Sequence, residues 1–170
     1  MKPEIILKIP KIVVYGSNGF DSLIQRFRTY TGKSFQVLFF DPLGTGKTIA
    51  ADIIAAELNK KIYRADISVA LNKHTDEREK NLDRIFTEAS SMKAILFFEE
   101  ADALFTECME RGDRTGFYNK MEIRYLLQKM EGYDGIVILA VRHSMNIDEA
   151  FIRNMRFVVE FPPDRRKQRK

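Results

Sequence analysis

The chain has 170 residues, enough for one domain of ordinary size, with 45% hydrophobic and 31% charged residues, the balance of a globular soluble protein. A net charge of +4 is not gathered into one stripe, which argues against a nucleic-acid partner, and the single cysteine, Cys108, excludes an internal disulfide. The two histidines, His74 and His143, have no second candidate ligand at metal spacing, which argues against a zinc site.

In chain order, residues 4–14 (EIILKIPKIVV) read as extended, with Pro10 confining any sheet role to an edge. The apolar run is too interrupted for a signal peptide or membrane span, so an intracellular, cytoplasmic protein is expected. Gly16-Ser17-Asn18-Gly19 is a turn cluster. Phe20, Leu23, Ile24, Phe27 and Tyr30 then recur at helical spacing, with Asn18 or Asp21 as the cap. From there strands and helices alternate. Strands are predicted at 35–40, 61–66, 94–98, 135–141 and 156–161, and helices at 47–58, 79–91, 118–131 and 147–154. Residues 106–117 are the expected flexible loop, and the basic run 164–170 reads as a solvated tail. Alternation of this kind predicts an α/β fold, a central parallel five-stranded sheet sandwiched between helices in three layers. Ligands of such sheets bind beyond the carboxyl ends of the strands, so the residues just after each strand carry the information.

After the first of these strands comes Asp41-Pro42-Leu43-Gly44-Thr45-Gly46-Lys47-Thr48, a phosphate loop in its required strand-to-helix context. Gly44 and Gly46 allow backbone N–H groups to approach phosphate oxygens, and the helix N-terminus adds partial positive charge. Lys47 is the candidate for the β- and γ-phosphates of ATP and Thr48 for Mg²⁺. Asp41 stands where the full pattern has Gly. A carboxylate ~5 Å from a phosphate charge opposes it by roughly 1–3 kcal/mol, about tenfold in affinity. A similar run, Thr31-Gly32-Lys33-Ser34, precedes a strand and has Phe27 at its first glycine position; it reads as a turn.

The apolar strand Ala94–Phe98 ends in Glu99-Glu100-Ala101-Asp102. Adjacent carboxylates at the end of a buried strand are costly as packing. By order, Glu99 fits the magnesium shell and Glu100 the residue that orients or deprotonates an attacking water. With both motifs in place, the P-loop NTPase fold is expected. The stretch 35–163, including DPLGTGKT, FFEEADALF and GIVILAVRHSMNIDEAFIRNMRFVVEFP, resembles the AAA family of ATPases.

That resemblance implies ATP and Mg²⁺ as ligands, a ring-forming homo-oligomer (a hexamer in the family) and a protein client that is remodelled or threaded. It implies the catalytic glutamate at Glu100 and arginine fingers at Arg153 and Arg156, which serve a neighbouring subunit's γ-phosphate. Residues 1–34 lie outside it as an N-terminal extension. The departures cluster at function. Glu99 replaces the family's Asp and is one methylene longer, displacing the magnesium contact. Arg142 replaces the polar sensor residue, commonly Asn, and either contacts the γ-phosphate or crowds it. His74 stands at the aromatic pore-loop position. The sequence reaches Lys170 without the helical lid that holds part of the adenine pocket. Slow Mg-dependent ATP hydrolysis is one expectation; an impaired pseudo-ATPase, or an altered scaffold acting in assembly, is the other.

Overall fold

The computed structural model describes residues 11–15, 18–29, 34–42, 46–71, 75–106, 113–142, 147 and 149–161. The expectations for residues 1–10, the turn at 31–33, His74, Cys108, His143 and the basic tail lie outside them. Six strands, β1 (Lys11–Val14), β2 (Ser34–Phe40), β3 (Ile62–Asp66), β4 (Ile95–Glu99), β5 (Gly135–Val141) and β6 (Phe157–Glu160), form one sheet in the order β1-β6-β2-β5-β4-β3. Every neighbouring pair is parallel. The five expected strands are β2 to β6; β1 pairs Lys11–Val14 with Phe157–Glu160 and adds a sixth at one edge.

The helices are α1 (Asn18–Thr29), α2 (Lys47–Leu58), α3 (Ile67–Leu71), α4 (Thr75–Ser91), α5 (Ala103–Thr106), α6 (Asp113–Gly132) and α7 (Glu149–Arg153). α6 begins at Asp113, so residues 113–117 of the expected loop are helical, and α4 starts four residues earlier than its apolar face suggests. Both extensions are mostly polar in sequence, so apolar periodicity gives no sign of them. α3 and α5 are single-turn pieces too short to show a period.

Strand residues alternate between two cores, as the period of two demands. Ile95 and Phe97 of β4, with Ile136, Ile138 and Ala140 of β5, join the α1 and α2 side chains Leu23, Phe27, Ala51 and Ile54. Leu96 and Phe98, with Val137, Leu139 and Val141, face the other way onto Leu82, Phe86 and Ala89 of α4, Leu126 and Met130 of α6, and Phe151 of α7. Three layers result. The small residues Ala50, Ala51 and Ala55 let α2 lie close on the sheet, which fixes where its N-terminus ends up. None of the helices among the described residues is long and apolar enough to cross a membrane.

Polar ties lock the second layer. Tyr125 on α6 donates its hydroxyl to Asp83 on α4, and Lys129 pairs with the same carboxylate at 2.7 Å. The lysine lies over the Tyr125 ring, 5.7 Å from its centroid. Tyr133, buried at the end of α6, donates to the carbonyl of Ala94 just before β4. Burial, aided by the neighbouring Asp134 charge, pushes the Tyr133 phenol up to about 12. Tyr133→Phe should therefore destabilise the fold by about 1–2 kcal/mol in urea denaturation at neutral pH. Because the folded phenol ionises above the ordinary value of about 10, its contribution is complete below pH ~10 and lost as pH rises toward ~12. The gap between wild type and Tyr133→Phe should close over that window, which denaturation at stepped alkaline pH would follow.

Candidate functional site

The central strand β2 runs out at Phe40, and the chain turns into the phosphate loop. Asp41 stays attached to the sheet, its N–H donating to the Val141 carbonyl at the end of β5 at 2.9 Å. The residue is only 1% exposed. The carboxylate turns toward α2, where Oδ2 accepts from the Gly46 N–H at 2.9 Å and from the Lys47 N–H at 3.0 Å. Gly46 is the N-cap of α2 and has no side chain to satisfy the first-turn donors. Asp41 does that from across the loop. Pro42 is exposed and Thr48 half-buried. Leu43, Gly44 and Thr45 lie outside the described residues.

Lys47 is buried, with 8% of its surface exposed, and its ammonium is 3.6 Å from Glu100 Oε1. Glu100 follows β4 directly with φ 56°, in the left-handed region that costs a non-glycine residue about 1–2 kcal/mol. That conformation breaks strand direction, and the carboxylate of Glu100 meets the lysine of the phosphate loop. Arg142, directly after β5, brings its guanidinium to 3.9 Å from the same Oε1. Glu99 is the last residue of β4, half-buried, in register with Asp66 of β3. Three predicted residues, Lys47, Glu100 and Arg142, thus meet at the carboxyl edge of the sheet.

Arg156 does not join them. Arg153 is exposed at the end of α7, and Arg156 leads into β6, its N–H donating to the Gln36 carbonyl at 2.9 Å. The Arg156 guanidinium lies over the ring of Phe35, 5.1 Å from its centroid. Phe35 is at the amino end of β2. At ~3.3 Å per strand residue, Arg156 is roughly 20 Å from the loop of its own chain, beyond the reach of a side chain.

Lys47 at the start of α2, Glu100 after β4 and Arg142 after β5 thus share the carboxyl edge of a parallel sheet. The family model described as "ATPase family associated with various cellular activities (AAA)" matches residues 37–164, which include all of these positions. The chain belongs to the AAA family. Over 127 residues this AAA domain is 31% identical to the peroxisomal ATPase PEX6 of Candida glabrata. It is 30% identical, also over 127 residues, to the peroxisomal ATPases PEX6 of Kluyveromyces lactis and Saccharomyces cerevisiae. Each match takes in 71% of this chain, which spans only 12%, 13% and 12% of the respective relatives' lengths.

Family membership implies nucleotide binding, and the donor chemistry of the AAA domain can be tested against it. The Lys47 ammonium, the Arg142 guanidinium and the first N–H groups of α2 suit a polyphosphate. The Thr48 hydroxyl and Glu99 carboxylate are oxygen donors of the kind that magnesium takes. Among the described residues no group of three or more His, Cys, Asp and Glu is placed to hold a metal ion. A magnesium ion here would draw its remaining ligands from phosphate and water.

Two positions carry more of the geometry than their sequence context suggests. Asp102 accepts the Arg142 N–H on both carboxylate oxygens, at 2.9 and 3.1 Å, and the neighbouring Ala101 N–H donates to the Ala140 carbonyl at 3.0 Å. Together they tie the end of β4 to the end of β5 and fix where Arg142 begins. The only hint in the sequence is a third acid two residues after Glu100. Phe161, after β6, is the other. It stacks on Tyr15 with centroids 4.9 Å apart and meets Phe39 edge-on at 5.2 Å. On its remaining side a Cβ added to Gly46 would lie 2.7 Å from Phe161 Cδ1. Gly46→Ala should thus cost about 1–3 kcal/mol by overpacking, read in thermal or urea unfolding. Adding Phe161→Leu, which clears the ring, should recover part of that loss; strictly additive effects would show that the ring is not what Gly46 avoids.

Proposed function

We propose that this chain is an AAA nucleotide-binding core that binds Mg-ATP and hydrolyses it slowly, within a larger machine that remodels protein partners. The observation that carries this reading is the meeting of Lys47 and Arg142 at the Glu100 carboxylate, beside the phosphate loop. The proposed organisation is a core at 35–163, an extension at 1–34 and a basic tail at 164–170. Similarity to proteins named peroxisomal ATPases supports an ATPase role. The remodelling of protein partners is the family's work, carried over to this chain as part of the proposal.

In this reading Lys47, buried and cationic, takes the β- and γ-phosphate charge and releases Glu100 from its ion pair. Glu100, freed, accepts a proton from the attacking water or orients it. Arg142, paired with the same Glu100 oxygen, would supply positive charge to the γ-phosphate. Thr48 and Glu99 would hold magnesium, which when bound neutralises the phosphate oxygens and draws charge from the leaving group. Arg156, about 20 Å from its own loop, and by family analogy Arg153 would complete the site of a second copy, so activity is expected to depend on oligomerisation.

Calorimetric titration with ATP, with and without Mg²⁺, tests the core of this. Binding should be saturable, strengthened by magnesium, and lost in Lys47→Ala. Retention of binding in that variant would refute the phosphate-loop role. Glu100→Gln should keep binding and lower turnover at least about a hundredfold. A second reading, an AAA-shaped scaffold with little turnover, is favoured by the Asp41 carboxylate on the Gly46 and Lys47 N–H groups. Wild-type turnover no greater than that of Glu100→Gln would decide for the scaffold.

A further inference from the structure

We infer that Asp41 is a built-in anion that occupies the donors a phosphate needs, so that nucleotide enters this site only by displacing it. The inference rests on the nucleotide-binding reading above and adds what sets the affinity. A helix leaves its first N–H groups without partners, and a phosphate loop directs these groups at phosphate oxygens. Here the N–H groups of Gly46 and Lys47 converge on a single oxygen, Asp41 Oδ2, at 2.9 and 3.0 Å. Both distances are those of full hydrogen bonds. A carboxylate oxygen and a phosphate oxygen are both anionic acceptors seeking the same two donors, and these donors cannot point at both.

The neighbouring charges complete the picture. Lys47, which would neutralise phosphate, has Glu100 Oε1 at 3.6 Å, and Arg142 has the same oxygen at 3.9 Å. Anionic side chains therefore face the backbone donors and the cations alike, and the site is balanced without a ligand. The two acids differ in how easily they leave. The Glu100 side chain is 43% exposed and can swing into water. Asp41 is 1% exposed and is pinned through its own N–H to the Val141 carbonyl. Moving its carboxylate off α2 leaves the buried Lys47 N–H and the part-buried Gly46 N–H without an acceptor until phosphate replaces it. Asp41, not Glu100, is thus the residue that sets the threshold for binding. The glycine that the loop pattern has at this position could not play that part, having no side chain.

The experiment compares wild type, Asp41→Asn and Asp41→Gly by calorimetry with Mg-ATP and separately with pyrophosphate, each repeated with Lys47→Ala added. Thermal unfolding is followed with and without pyrophosphate. Asp41→Gly should bind both ligands at least about tenfold more tightly than wild type, the size expected when a charge-assisted competitor is removed. Asp41→Asn, which keeps a neutral acceptor, should fall between. Both variants should unfold at lower temperature than wild type without ligand, and pyrophosphate should raise their unfolding temperatures more than it raises that of wild type. A purely structural cap would lower the temperature with no such ligand-dependent recovery. Should Asp41→Gly fail to fold, Asp41→Asn carries the comparison, since it preserves shape and one acceptor. Lys47-dependent binding in wild type that is equal or weaker in both variants would overturn the inference and leave the nucleotide site standing. No binding in any folded variant would overturn the nucleotide site and the inference with it.

Discussion

Strands β2, β4 and β5 are buried on both faces, and a strand buried on both faces can carry charge only at its ends. Phe35, Val37, Leu38 and Phe39, then Ile95 to Phe98, then Ile136 to Val141 carry no charge along their lengths, and the one polar side chain among them, half-buried Gln36, bonds to Ser34 and to the Met130 carbonyl. The pleat sends alternate residues to two separate cores, which is why helices must cover both sides. Charged side chains of these three strands are thereby confined to a narrow rim. Asp41, Glu100 and Arg142 are each the first residue after one of these three strands. Parallel pairing then aligns the three strand ends, so residues far apart in the chain, such as Asp41 and Arg142 or Glu100 and Arg142, become neighbours.

The rim has its own electrostatic logic. Asp41, Glu100 and Asp102 each engage a positive or N–H-rich partner across the strand ends. Asp41 compensates the helix N-terminus, Glu100 pairs with two cations, and Asp102 takes a backbone donor. The left-handed backbone of Glu100 is part of the same arrangement, since an extended residue there would continue the direction of β4. An edge arranged in this way is held together by charges that can be exchanged for those of a ligand. The apolar interior behind it has no such alternatives and stays fixed.

The architecture is largely legible in the sequence because its signals are local. The runs at 35–40 and 135–141 declare buried strands, and α2 occupies the predicted residues 47–58. Phosphate-loop spacing places Lys47 next to a strand end without any knowledge of its neighbours. Contacts between elements are harder to read. Asp41 registers in the sequence as a misplaced charge, and its hydrogen bonds to α2 depend on how the loop closes over five residues. Asp102 looks like one acid among three, because its partner Arg142 is 40 residues away and is engaged through its backbone N–H, which carries no residue identity. The first turns of α4 and α6 escape for a different reason. Hydrophobic periodicity detects packing, and those turns are mostly polar in sequence.

The aromatic contact beneath the loop has a mechanical consequence. Phe161 touches Tyr15 on one side, Phe39 on another and the edge of Gly46 on a third, and Tyr15 in turn meets Phe20 of α1 edge-on at 5.0 Å. Stacked rings in a close-packed interior transmit displacement with little give. The turn after β1 and the start of α2 therefore rest on the same ring, so a shift of Gly46 toward Phe161 presses on the residues that hold the outermost strand in place.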